Sequence, residues 1–329
     1  MNAVLVREDA EGFWTIAPAG APTVWADAPP LDTMVLEVVG GHLAWSLLAG
    51  EPVPAAVLHD LDEAQEWLWA VYGEHVALAV ADRQAVELPA EPALPTLVAQ
   101  ARKLAYAHWA ARWWPASTID GIPALDQQLL DTEIATLTEA CELIVDGADA
   151  DLEPLPAAPV ALGRAEDYAL AAGSGARQGE LVFGRGSGGW DWRRCPPGLV
   201  DASEHAVSWE LTRAEGATLV RVRAVAAPQL DAPPAHLHPR ALLDTSVGAI
   251  DTELHLVGDT WQGTASTAAE AVAGVHVYVP GVGPDALPAD HDERARIRDL
   301  VAARLRGATA DDDTLLLAEI AAAASDSDF

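Results

Sequence analysis

The chain has 329 residues, 19 Lys and Arg against 50 Asp and Glu, a formal charge of −31 and a hydrophobic content of 50%. That length suffices for two domains with cores of their own, and the apolar content is too high for a disordered chain. So acidic a surface repels nucleic acid, and two cysteines, Cys141 and Cys195, are too few for a disulfide framework or a four-thiolate zinc site.

Trp occurs 12 times against 3 Phe and 4 Tyr, Lys103 is the single lysine and Asn2 the single asparagine. Residues with GC-rich codons are favoured throughout, so the tryptophans reflect the codon usage of a GC-rich bacterial genome rather than sugar or base platforms. Met1 to Gly12 lacks a basic stretch followed by an apolar one, and no window reaches the ~18 apolar residues of a membrane span. A cytoplasmic protein without a membrane partner is expected.

From Ala3 to Leu48 short apolar runs (VLV, FWTI, TVW, MVLEVV, HLAWSLL) alternate with turn chemistry, which predicts an antiparallel meander with Gly40-Gly41 as a connector. Asp60 and Glu63 form a capping-box pattern ahead of a helix carrying Leu61, Ala64, Leu68 and Val71 on one face, with Gly73 as its stop. Val76 to Val80 and Ala85 to Leu88 read as a hairpin. Leu97, Ala101, Leu104 and His108, then Leu130, Ile134, Leu137, Cys141 and Ile144, recur at helical spacing and predict two long helices joined by a turn at Ser117 to Pro123. His108 and Cys141 fall on apolar stripes and read as core residues.

Asp146 to Pro159 is rich in acid, Ala and Pro without periodicity, the composition of a linker. The predicted organisation is therefore an α+β domain over 1–147, a linker over 148–162, a β-sandwich-like domain over 163–324 with two appended helices, and an acidic tail at 325–329. The sandwich rests on period-two alternation at Val207 to Thr212, Val220 to Arg223, Ile250 to Val257 and Val275 to Val279. The appended helices start at Asp292-Glu293, with Ile297, Leu300, Val301 and Leu305 as the apolar face, and at Asp311 to Asp313.

The least ordinary stretch is FGRGSGGWDWRRCPPG, Phe183 to Gly198. Its glycines could cradle an anion beside Arg193 and Arg194, but no helix pattern follows and a Walker lysine is missing. It reads as a long connection whose Trp190 and Trp192 plug one end of the sandwich, and Trp190, Asp191, Trp192, Arg193 and Arg194 are the candidate ligand- or partner-binding residues. His236 and His238 have the alternate spacing of strand-borne metal ligands but lie among Pro233, Pro234 and Pro239 with no third ligand, so neither a metal nor a cofactor is expected. Cys195 lies beside two arginines and reads as a bystander thiol.

The chain ends in SDSDF, where Asp326, Asp328 and the terminal carboxylate surround Phe329. A pocket with basic walls and an apolar floor would capture such an end. The five residues are similar to the acidic, Phe-ended tail by which bacterial single-strand-binding proteins recruit partners, with Asp328 where proline usually stands. The expected function is thus a non-enzymatic interaction or accessory component whose partner is another protein. The alternatives are a hydrolase-type enzyme with a dispersed site drawn from residues such as His205 and Asp191, and a small-ligand module around Trp190 and Trp192.

Overall fold

A computed structural model describes residues 3–9, 12–24, 30–145, 181–214, 217–230, 233, 236–283, 291–309 and 312–326. The expected linker, 148–162, lies outside them. The fold is mixed α+β, with three antiparallel sheets and six α-helices among the described residues. It divides into two compact units: unit 1 takes the described residues of Met1–Trp114, Leu125–Leu155 and Ala302–Phe329, and unit 2 those of Pro115–Ala124 and Pro156–Val301.

The sheet of unit 1 comprises β1 (Ala3–Glu8), β2 (Trp14–Pro18), β3 (Thr33–Val38), β4 (Gly41–Ser46), β5 (Ala55–Leu58) and β6 (Val86–Pro89), in the order β3-β4-β5-β2-β1-β6. The β1–β2 hairpin lies beside β5 rather than β3, so the strands do not follow chain order. Gly40 has φ of +75°, and a Cβ there would strike the carbonyl of Asp60. Only glycine lets the β3–β4 turn approach the start of α1 (Leu61–Tyr72) so closely. Asp60 caps that helix, its carboxylate accepting from the amides of Asp62 and Glu63 at 3.0 and 3.1 Å, as the capping pattern predicts. Two buried indoles satisfy their polar edges on the main chain: Trp67 Nε1 donates to Val39 O at 2.8 Å and Trp109 Nε1 to Leu31 O at 2.7 Å.

Val76 to Val80 is not a strand. It lies in α2 (Glu74–Ala81), where Val76, Ala77, Ala79 and Val80 are buried. A five-residue apolar run satisfies either period, and packing decides. The two long helices form as α3 (Pro95–Trp113), ending before Pro115, and α4 (Gln127–Ala140), which stops at Cys141. Within α4, Glu133 is buried; it takes Lys103 Nζ at 2.9 Å and the amide of Leu317 at 2.7 Å, fixing the start of α6 (Leu317–Asp326). Glu319, fully buried, accepts from Arg304 Nε and Nη2, Tyr106 Oη and the Leu316 amide, each at 2.8 Å. Burial, then the Glu319 charge, raises the Tyr106 hydroxyl well above its ordinary pKa, so it stays a donor.

Unit 2 holds a five-stranded sheet, ordered His255–Val257 (β12), Thr260–Thr267 (β13), Ala217–Val225 (β9), Val207–Ala214 (β8) and Leu181–Gly188 (β7), and a three-stranded sheet, ordered Gly248–Glu253 (β11), Arg240–Thr245 (β10) and Val272–Tyr278 (β14). The predicted hairpin is β8 (Val207–Ala214) with β9 (Ala217–Val225). The alternation at 250–257 is two strands: β11 (Gly248–Glu253) and β12 (His255–Val257) pair in different sheets, and the chain changes sheet at Leu254, which is buried. A Cβ at Gly263 of β13 (Thr260–Thr267) would lie 2.8 Å from Leu254 Cδ2, so the glycine makes room for that corner. β10 (Arg240–Thr245) pairs on its other side with β14 (Val272–Tyr278). A further helix, α5 (His291–Arg306), buries Ile297 and Val301. No helix among the described residues is long and apolar enough to cross a membrane.

Candidate functional site

The Gly-rich stretch is not a loop. Leu181–Gly188 is β7, the edge strand of the larger sheet, paired with β8 so that Gly186 faces Trp209. A Cβ at Gly186 would sit 2.7 to 2.8 Å from three atoms of the Trp209 indole. The ring therefore lies flat across the strand, and the glycines seat an aromatic neighbour rather than an anion.

Beyond β7 the chain turns through Trp190 and Asp191 into a single 3-10 turn, Trp192–Arg194. Trp190 Nε1 donates to Asp201 O at 2.7 Å, which fixes its ring. Asp201 itself is fully buried and accepts from Ser117 Oγ and the Thr118 amide, both at 2.7 Å, and from the Ser203 amide at 2.9 Å. Asp191 caps the 3-10 turn and is forked by Arg193, whose Nε and Nη2 donate at 2.9 and 3.2 Å. Arg194 lays its guanidinium over the Tyr278 ring, 5.0 Å from the centroid.

These residues form one wall of a cavity of about 540 Å³ in unit 2. Trp190, Asp191 and Arg194 line it together with Ser187 and Trp209; Leu242, Asp244, Val275 and His276 of β10 and β14 line the opposite side, and His291 and Arg294 of α5 complete it. A volume of this size suits a small organic ligand. Of the sequence-predicted residues, Trp192 is 4% exposed and serves the core, and Arg193 is spent on Asp191. Asp326 is the last residue of α6, while Asp328 and Phe329 lie outside the described residues.

The electrostatics centre on Glu204. Its carboxylate accepts from Arg294 Nε at 2.7 Å, Arg294 Nη2 at 3.1 Å and Arg298 Nη1 at 3.1 Å, with His291 Nδ1 2.8 Å away. Burial alone would raise this carboxyl. The hydrogen bonds from Arg294, His291 and Arg298 and the Arg294 charge outweigh burial and hold it down at about 2. A Cβ at Gly189 would fall on the Glu204 carboxylate, so glycine is required where the main chain passes it. Arg294 is 1% exposed, and its Nη1 has no hydrogen-bond partner among the described residues; the same holds for Arg194 Nε. Across the cavity His276 Nε2 lies 3.1 Å from Asp244 Oδ2.

Sequence reasoning missed Glu204, Arg294, His276, Asp244 and Trp209. One signal was available. Arg294 precedes Ile297 and Val301 on the buried stripe of α5, and an arginine on such a stripe requires a buried carboxylate.

Other candidates separate from this site. His205 is exposed and outside the cavity lining, and Asp191 is committed to Arg193, so that acid–base pair is not assembled. His236 and His238 are exposed in the irregular segment before β10, and among the described residues no group of three or more His, Cys, Asp or Glu side chains is placed to hold a metal ion. Cys195 is 2% exposed; burial raises its thiol to about 12 despite Arg194, which leaves it a poor nucleophile. Comparison with protein-family models, with curated proteins and with solved structures finds no match.

Proposed function

We propose that the chain is a binding protein rather than a catalyst and that unit 2 takes up a small ligand in the cavity beside Trp190. The observation that carries this reading is the convergence of aromatic walls, Trp190 and Trp209, with polar groups, Arg194, Arg294 and His276, in one concavity of about 540 Å³. Binding is favoured over turnover by how the reactive groups are spent. Ser187, His276 and Asp244 line the same cavity, yet no hydrogen bond joins Ser187 to His276 among the described residues, and Asp191 and Glu204 are both held by arginine.

The two sheets of unit 2 support a sandwich-like reading of that unit. The strand crossing at Leu254 ties one sheet to the other, and each contributes a buried apolar face, Val220, Val222 and Ala224 from β9 and Ala241 and Leu243 from β10.

A protein partner recruited through Asp326, Asp328 and Phe329 is the second proposal. It is supported by the residues themselves, an aromatic Phe329 beside the acids Asp326 and Asp328. Deleting Phe329 then weakens a partner captured from the host at least tenfold, and equal affinity of both forms would remove the tail from the account.

The ligand reading is tested by nuclear magnetic resonance of the indole N–H groups during a fragment screen. Binding should shift Trp190 and Trp209 and leave Trp67 and Trp109 of unit 1 in place. A screen in which no compound moves the first pair, or in which all four move together, would refute it.

A further inference from the structure

We infer that the ligand of this cavity carries an oxyanion, a carboxylate or a phosphate, on a flat apolar body. The inference rests on the ligand-binding reading and adds the chemistry that the site selects.

Three observations carry it. The first is the pair of unspent donors. Arg294 commits Nε and Nη2 to Glu204, leaving Nη1 with no partner among the described residues, and Arg194 Nε is likewise unpaired. A buried guanidinium N–H without an acceptor is costly, and an arriving oxyanion supplies acceptors in the planar geometry that arginine favours.

The second is the state of the two carboxylates that line the cavity, Asp191 and Asp244, and of Glu204, which is bonded to the lining residues Arg294 and His291. Asp191 is forked by Arg193 and Asp244 faces His276, while Glu204 is shared among Arg294, Arg298 and His291. Among the described residues Arg194 makes no ion pair, and its guanidinium lies over the Tyr278 ring.

The third is shape. The Trp190 indole is pinned by its bond to Asp201, and the Trp209 ring is laid flat over Gly186. Two fixed aromatic surfaces near the arginines suit a planar, apolar ligand body.

The experiment is a calorimetric titration of the intact protein at fixed ionic strength with benzoate and phenyl phosphate, against benzamide and benzylamine as neutral and cationic counterparts. Either anion should bind at least tenfold more tightly than benzamide, and benzylamine should not bind. Tighter binding of benzoate assigns the site to carboxylates, and of phenyl phosphate to phosphates. In Arg194→Gln the preferred anion should lose at least tenfold in affinity and its advantage over benzamide should fall with it. Arg194→Lys should recover only part of the loss, because a point charge replaces a planar fork. Equal affinities for benzoate, phenyl phosphate and benzamide would overturn the inference and leave the ligand reading standing. Binding of none of the four, together with a fragment screen that leaves Trp190 and Trp209 unmoved, would overturn both. Anion binding that survives Arg194→Gln undiminished would place the selectivity elsewhere and also overturn the inference.

Discussion

Replacing Glu204 by Gln should be among the most damaging changes in unit 2. The carboxylate neutralises Arg294, which is 1% exposed, and is itself held by Arg298 and His291. Amide substitution keeps one acceptor oxygen but removes the charge, leaving a guanidinium in the interior with no counter-ion. Breaking a fully buried pair costs about 3–5 kcal/mol; because the Glu204 side chain is 20% exposed, a smaller loss, about 2–4 kcal/mol, is expected. Urea unfolding followed by tryptophan emission reports it. With a slope of about 2 kcal/mol per molar, the midpoint of the unit 2 transition should fall by about 1–2 M. Arg294→Met in the same chain should restore much of the loss, since removing both charges leaves nothing uncompensated. The pH dependence follows from the same carboxylate. Its folded pKa, about 2, lies below the ordinary value of 4.5, so its stabilisation is present above that value and is lost as pH falls toward 2. The variant should lack that acid-range component. A midpoint shift below about 0.3 M, or a double variant no more stable than Glu204→Gln, would refute the role assigned to the pair.

Other substitutions address separate parts of the fold. Gly186→Ala forces a methyl against the Trp209 ring and should cost about 1–3 kcal/mol while altering Trp209 emission; an unchanged midpoint would show that the ring does not cross the strand there. In unit 1, Glu319→Gln should release α6, reducing stability by about 3–5 kcal/mol and abolishing slow hydrogen exchange over Leu317–Asp326, whereas retained protection would contradict the clamp. Cys141 and Cys195 are both buried, with thiols raised to about 12, so a thiol reagent should modify neither in the native protein and both in urea. Rapid native labelling would count against the packing described.

The elements legible in the chain were those whose local chemistry had a single reading. The N-cap at Asp60, the stop before Pro115 and the alternation that makes β8 and β9 all carry the same message at each level. Where a pattern had two readings, long-range packing decided. Val76 to Val80 suits a strand or a helix and became α2. The glycines of β7 resemble a loop, yet serve a tryptophan two dozen residues away in sequence. Leu254 interrupts an alternation that runs unbroken in the sequence, because the change of sheet is invisible to periodicity. The cavity was half legible for the same reason. Trp190, Asp191 and Arg194 stood out by composition, but Glu204 and Arg294 meet across 90 positions, a pairing that no local pattern encodes.

The central claim is that unit 2 holds a small ligand between Trp190 and Arg294, and a crystal structure of the protein soaked with its tightest-binding aromatic anion tests it most directly. The account predicts an intact molecule in the cavity, its oxyanion within hydrogen-bond distance of Arg194 and its ring against Trp190 or Trp209. A ligand bound outside that cavity would contradict it, as would the appearance of cleavage products from an ester of the same compound.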